Sequence, residues 1–223
     1  QEEIDSLQTM ANQAAIAIEN AKLMVRSAII QEMHHRVKNS LQTVASLLRI
    51  QMHRPGEGTP MEMLRESINR ITSIAAVHDL LSKEDLDQVN LREVAETILS
   101  LTGRSLLRST QRVSMRVIGG DVALPSAKAT TVALILNELI HNALEHGFGE
   151  RDEGLLEIRI DRDGSQVRLQ VINDGNPVPP GFDPAQSSSL GLQIVNSLAQ
   201  NDLGGHFSLG TDDLTRATVV FQC

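Results

Sequence analysis

Leu136-Asn137-Glu138-Leu139-Ile140-His141-Asn142-Ala143-Leu144-Glu145-His146 is the stretch on which the fold turns. It closes a run from Ala127 to about Glu145 that is apolar on most of a helical circumference. A helix apolar all round is a buried one, so it must be covered on more than one side. Glu138, Asn142 and either Glu145 or His146 nevertheless fall one turn apart and share a polar face. Such a face is either a solvated edge or a site. Asn offers an oxygen to Mg²⁺, which prefers oxygen ligands. Glu138 could orient or deprotonate a nucleophile.

The flanking sequence supplies the cover. Upstream, Leu91 to about Leu107 reads as a helix and Arg112 to Ile118 as a strand. Downstream, Leu155-Leu156-Glu157-Ile158-Arg159-Ile160 alternates like a strand, and Asp163-Gly164 turns it into Gln166 to Ile172. Alternation with that turn chemistry makes a hairpin. A Pro/Gly/Ser loop follows from Asn173 to Ser189, then a helix from Leu190 to Asn201. Two strands, Gly205 to Leu209 and Arg216 to Phe221, close the chain. Helices and strands in this mixture predict an α+β two-layer sandwich over 86–223.

Composition narrows the classes. The 223 residues are 41% hydrophobic and 22% charged, as expected of a soluble globular chain. There is no Trp or Tyr and there are four Phe, so the core is aliphatic. A net charge of -8 argues against a bulk grip on nucleic acid or on an anionic membrane. The one cysteine, Cys223, excludes an internal disulfide and a multi-cysteine metal site. No run of eighteen apolar residues predicts a membrane span. The first residue is Gln and the start is acidic, which suggests a fragment or processed chain without a signal peptide. A cytoplasmic location is expected by default.

The N-terminal part reads as two helical devices. Ile4, Ala11, Ile18 and Val25, with Leu7, Ala14, Ala21 and Ala28, keep an a/d heptad that predicts a coiled coil over 1–28, or an amphipathic helix on its own domain. Helical patterning continues to about Arg54, where Arg54-Pro55-Gly56-Glu57-Gly58-Thr59-Pro60 breaks it. A second helix runs from about Met61 to Ser82, with Met61, Leu64, Ile68, Ile71, Ile74, Ala75, His78 and Leu81 on its apolar face. Together they form a hairpin over 29–85 with one apolar face uncovered. Dimerisation into a four-helix bundle, or docking on another domain, would cover it. The first hairpin helix carries Met33, Val37, Leu41, Val44 and Leu48 as its stripe. His35 points about 160° from the centre of that stripe, and His34 only about 60°. Asn39 shares the outward face of His35. Adjacent histidines diverge too far to chelate one ion well, whereas a neutral imidazole near pH 7 is a good nucleophile for a phosphoryl group.

His35-Arg36-Val37-Lys38-Asn39-Ser40-Leu41-Gln42 resembles the phospho-acceptor box of bacterial sensor histidine kinases. It is closest to the subfamily with an H-R-V-K-N box, a sister of the HWE kinases. The larger superfamily has an acid after the histidine; Arg36 stands there instead. Glu138 to His146 is similar to the N box of the GHKL ATP-binding fold. The family's magnesium-binding Asn falls on Asn142 and its catalytic polar residue on Glu138; an acid, Glu145, stands where relatives often have Lys. Val171-Ile172-Asn173-Asp174-Gly175-Asn176-Pro177 resembles the D-x-G-x-G box, with Asn173 at the adenine-binding Asp and Pro177 at the second Gly. On a strand, Asp174 would point to the opposite face from Asn173. Ser189-Leu190-Gly191-Leu192 resembles the G-x-G-L box, with Ser189 at the first Gly; a serine N-cap is its plain alternative. Ala11 to Ala21 resembles the closing helix of a GAF sensor domain, which would lie upstream.

The resemblance implies a histidine kinase core: ATP and Mg²⁺ in the 86–223 domain, transfer to His35, then to an aspartate of a response regulator, in a homodimer. The implied binding residues are Asn142, His146, Asn173, Asp174, Gly175, Ser189, Gly191 and Leu192, with Glu138 and Asn39 beside the chemistry at His35. Two other readings remain from the sequence. One is a degenerate phosphotransfer or scaffold protein that binds no ATP, favoured by Asn173, Pro177 and Ser189. The other is a GHL-type ATPase in which Glu138 activates water. The a/d register ending at Ala28 also fails to match the stripe starting at Met33, which marks a candidate point of signal transfer.

Overall fold

A computed structural model describes residues 13, 18–20, 61, 64, 67–76, 88–149, 151–179, 181–184 and 189–223. The chain divides into two compact units, 1–55 and 56–223. In the first, residues 13 and 18–20 are helical and exposed. The rest of the coiled-coil register lies outside the described residues. So do His34, His35, Asn39, the stripe from Met33 to Leu48 and the break at 54–60. Among the described residues no helix is long and apolar enough to cross a membrane.

Among the described residues of the second unit, Met61 and Leu64 are helical, and a continuous helix, α1, spans 67–76. A short strand β1 (Gln88–Asn90) leads into α2 (Leu91–Leu106). Asn90 caps that helix by accepting from the Arg92 N–H at 2.8 Å, with Glu93 in the first turn and Arg104 in the last. Both charges interact favourably with the helix dipole. β2 (Arg112–Gly119) and β3 (Ala123–Pro125) follow. Then comes α3 (Ser126–Asn142), continued by a wider π-helical turn, Ala143–Gly147. The hairpin is β4 (Glu153–Asp163) and β5 (Gln166–Asn173), turned at Gly164 with φ of 59°. Helix α4 (Leu190–Ser197) also runs into a π-helical turn, Leu198–Asp202. β6 (His206–Thr211) and β7 (Thr215–Gln222) close the chain.

Five strands make one sheet in the order β2-β4-β5-β7-β6. Every pair is antiparallel except β2 with β4, which run parallel from Arg112↔Glu153 to Gly119↔Ile160. β1 and β3 pair separately. The parallel pair exists because the chain crosses through α3 between the two strands. Val94 and Ile98 of α2, Ile135, Leu136 and Ile140 of α3, Val195 of α4, and Ile158, Val171, Val219 and Phe221 of the sheet belong to one core. Each such side chain contributes about 1.5–3 kcal/mol on burial. The expected two-layer sandwich is therefore the fold, and the unbroken apolarity of α3 is explained. Ala129 and residues 131–140 of that helix are all buried.

Glu157 is buried on the other side of β4, where it meets Arg116 at 2.7 Å and Arg159 at 2.6 Å. Burial alone would push its carboxyl up, but the bonds and charges of the two guanidinium groups prevail and hold it below its ordinary value.

Helix α1 is a departure from ordinary amphipathic packing. The residues it buries are Ser67, Arg70, Ser73 and Ile74, whereas Met61, Leu64, Ile68 and Ile71 are exposed. Its polar side faces the protein, and most of its apolar stripe faces out.

Candidate functional site

The inner end of α3, its π-helical turn, and strands β5 and β7 enclose a cavity of about 410 Å³. Leu139, Asn142, Ala143, His146 and Gly147 form one wall. Val171 and Asn173 of β5 with Thr215 and Ala217 of β7 form the floor. The loop after β5 adds Asn176 to Pro179 and Phe182, and α4 adds Ser189 and Leu192. The walls are mainly apolar with a few polar groups, as in pockets for flat organic ligands.

Each polar group has an identifiable geometry. The Nδ2 of Asn142 is buried and has no hydrogen-bond partner. An unsatisfied buried amide is rare and expensive, about 1–3 kcal/mol, and marks a place where a ligand atom belongs. His146 lines the cavity, whereas Glu145 pairs with His141 Nδ1 at 3.2 Å. Asn173 is buried, and its Oδ1 accepts from the Gly175 N–H at 3.1 Å. Asp174 turns the other way: its Oδ1 accepts from Leu155 N–H at 2.8 Å, tying the turn to β4.

Gly175 is needed for contact, since the turn lies directly on the π-helical segment. Asn176 N–H donates to Gly147 O at 2.9 Å, and Asn176 Nδ2 to His146 O at 3.2 Å. Gly191 also makes a close approach, here to side chains rather than main chain. A methyl group on it would come 2.9 Å from Glu138 Oε2 and 3.8 Å from Asn142 Oδ1. Glu138, Asn142 and the first turn of α4 thus converge. Ser189 sits at the N-cap of α4, and its side chain makes no capping bond there. First-turn N–H groups of a helix bind anions through their own donors and the dipole.

The structure brings Asn142, His146, Asn173, Ser189 and Leu192 onto one cavity, with Gly175 and Gly191 packed behind its walls. Three things escaped the sequence. Thr215 lines the floor because β7 pairs it with Asn173, and it bonds Thr211 at 3.0 Å. Phe182 at the rim is a lone aromatic in a loop with no spacing signal. Arg70 reaches Glu138 from 68 residues away: Nε to Oε1 at 2.8 Å and Nη2 to Oε2 at 2.7 Å, both side chains buried.

Known proteins resemble the chain in sequence and in fold. The family described as "Histidine kinase" matches residues 32–106. The family described as "Histidine kinase-, DNA gyrase B-, and HSP90-like ATPase" matches 127–223. The chain is 39% identical over 204 residues to the sensor histidine kinase PdtaS of Mycobacterium tuberculosis, covering 88% of this chain and 40% of that protein. It is 27% identical over 179 residues to blue-light-activated histidine kinase 2 of Erythrobacter litoralis, covering 77% of this chain and 50% of that one. The chain thus spans about two-fifths to one-half of the length of these relatives. In fold it is similar to the Erythrobacter litoralis EL346 blue-light activated histidine kinase, with a TM-score of 0.66 at 20% identity over 84% of this chain and 62% of that one. The histidine kinase domain of the same protein gives a TM-score of 0.61 over 81% and 95%. With the kinase region first and the ATPase-type domain after it, the chain belongs to the sensor histidine kinases.

Proposed function

We propose that residues 86–223 bind ATP-Mg²⁺ and phosphorylate His35 on the 29–85 hairpin. The phosphoryl group then passes to an aspartate of a response-regulator receiver domain. The observation that carries this reading is the cavity with its unpartnered Asn142 amide, in a chain with a histidine box. Adenine would enter between Leu139, Val171 and the loop prolines, with Asn173 at its polar edge. The phosphates would point toward the first turn of α4 at Ser189, Gly191 and Leu192.

The donor set suits Mg²⁺ held mostly by phosphate. Among the described residues no group of three acidic, His or Cys side chains could cage a metal. Magnesium at phosphoryl-transfer sites takes one or two protein oxygens and keeps substrate and water for the rest. Asn142 would supply such an oxygen, and the ion would neutralise charge on the transferring phosphoryl group.

At His35 the neutral imidazole nitrogen forms the N–P bond as the bond from γ-phosphorus to the bridging oxygen breaks and ADP leaves. The ring's other nitrogen then gives up its proton. Glu138 and Asn39 are the groups that would orient the acceptor. No acid follows His35, but phosphoryl transfer depends chiefly on positioning and charge neutralisation. The exposed stripe Met61, Leu64, Ile68 and Ile71 supports a homodimer closed through the hairpins. The heptads over 1–28 support a coiled coil that carries the signal from an upstream sensor domain.

The test is incubation of the full chain with γ-labelled ATP and Mg²⁺, for wild type, His35→Gln and His34→Gln. Acid-labile, base-stable label lost only with His35→Gln is the expected result. Loss only with His34→Gln would move the acceptor. No label with no nucleotide binding would end the kinase reading.

A further inference from the structure

The docked face of α1 poses a physical question. Ser67, Arg70 and Ser73 are 8%, 5% and 2% exposed, while Met61, Leu64, Ile68 and Ile71 are 73%, 56%, 53% and 40% exposed. Apolar burial alone would turn this helix over. Specific polar bonds hold it instead. Ser73 Oγ donates to Asn137 Oδ1 at 2.9 Å, and Ser105 Oγ to Asn69 Oδ1 at 3.3 Å. The centre of the contact is Arg70 on Glu138. Oε1 of that carboxylate takes Arg70 Nε and, at 3.1 Å, Asn137 Nδ2; Oε2 takes Arg70 Nη2. Oε2 also lies against Gly191, one helical turn from Asn142. The acid nearest the phosphate end of the cavity is thus closed on both oxygens by a fork from the hairpin. Three of its roughly four acceptor sites are taken, two of them by that fork, so the carboxylate is held in place and poorly available to an incoming imidazole until the fork withdraws.

We propose that Arg70 is a latch on Glu138. With α1 docked through its polar side, Glu138 is held in the ion pair and transfer to the acceptor is off. When α1 lifts, the pair opens, Glu138 becomes available, and the exposed apolar stripe gains freedom to pack elsewhere. Polar contacts of modest size are those that open and close, unlike large apolar ones. The latch rests on the kinase reading above, because only there does Glu138 serve an acceptor. It makes Arg70 a positioning residue that acts through Glu138.

Truncating Arg70 would strand a buried charge and risk unfolding. Two gentler variants of the full chain serve instead. Arg70→Lys keeps the charge but cannot form the fork. Ser73→Ala leaves Arg70 intact and removes the donor to Asn137 Oδ1 without burying a charge. Initial rates of base-stable label from γ-labelled ATP, nucleotide affinity and thermal melting are measured on each. Both variants should raise the rate roughly tenfold, with nucleotide Kd within about twofold of wild type. A gain in rate is not something a merely damaged structure produces. If wild type is labelled and folded variants that bind nucleotide are labelled no faster, or more slowly, the latch is overturned and the kinase reading stands. If nucleotide binds but neither wild type nor variants acquire label, the kinase reading falls and the latch with it.

Discussion

Replacing Gly175 with Ala tests how the cavity is held together. The turn at Gly175 rests on the backbone of Gly147, and a methyl group there would overlap the Gly147 carbonyl. Its carbon would lie 2.6 Å from Gly147 C and 2.8 Å from Gly147 Cα. Non-bonded carbons sit about 3.5–4.0 Å apart, so the two segments must separate by about 1 Å. No rotamer relieves this, since the obstacle is main chain. Separation also breaks the 2.9 Å bond from Asn176 N–H to Gly147 O. Overpacking and one lost bond together cost about 2–4 kcal/mol. For a domain of this size that lowers Tm by roughly 5–10 °C. The same movement shifts Asn173, Asn176 and Pro177, all on the cavity wall. Nucleotide affinity should therefore fall at least about tenfold, or 1.4 kcal/mol. Titration with a fluorescent adenine nucleotide beside a thermal melt reads both quantities. Unchanged Tm and unchanged affinity would refute the claim that this contact shapes the pocket.

Other expectations follow from single side chains. Asn142→Ala removes a buried amide whose Nδ2 has no partner, so Tm should hold or rise while label from ATP falls about a hundredfold; a Tm drop of several degrees would show Asn142 to be structural. Asn173→Asp keeps the acceptor for Gly175 N–H and gives the cavity a carboxylate oxygen, so ATP affinity should rise about three- to tenfold by calorimetry. Weaker binding would place the adenine edge elsewhere. Glu157 has its carboxyl held below its ordinary 4.5, so its stabilisation is full near neutrality and is lost as pH falls through the lowered value. Glu157→Gln should cost about 1 kcal/mol in urea melts at pH 7. The difference from wild type should vanish well below pH 4.5; a gap that persists in acid would exclude the charged pairs as its source.

Much of the nucleotide domain was legible in local pattern. The hairpin of β4 and β5 follows from alternation and Asp163-Gly164, and α3 from an apolar circumference that only a two-sided burial can satisfy. What lay hidden is non-local. Nothing in the sequence of Arg112 to Gly119 says that it runs parallel to β4, since a crossover, not a turn, sets that pairing. The β1–β3 bridge is three residues a side, too short for periodicity to register. At the site, helix spacing marks Asn142 and one of Glu145 or His146, whereas Asn173 stood out through its resemblance to the D-x-G-x-G box. Thr215 did not, because its role comes from strand register alone. Helix α1 is the instructive case. Its spacing finds the apolar stripe, yet the structure buries the opposite side, because a guanidinium fork and two serine bonds outweigh what one uncovered stripe gains.

The place of β7 in the sheet has a consequence for how the protein is made. Of the five strands of the sheet it is the last to be translated, yet it stands between β5 and β6 and pairs with both. Until Thr215–Gln222 leaves the ribosome, β5 is a bare edge and β6 has no neighbour in the sheet. The floor beneath Asn173 is then missing as well, since Thr215 and Ala217 belong to that strand. A nascent chain lacking β7 therefore offers an open, apolar strand edge, the kind of surface that chaperones cover and neighbouring chains invade. A stop codon ahead of Thr215 would not trim the sheet but divide it.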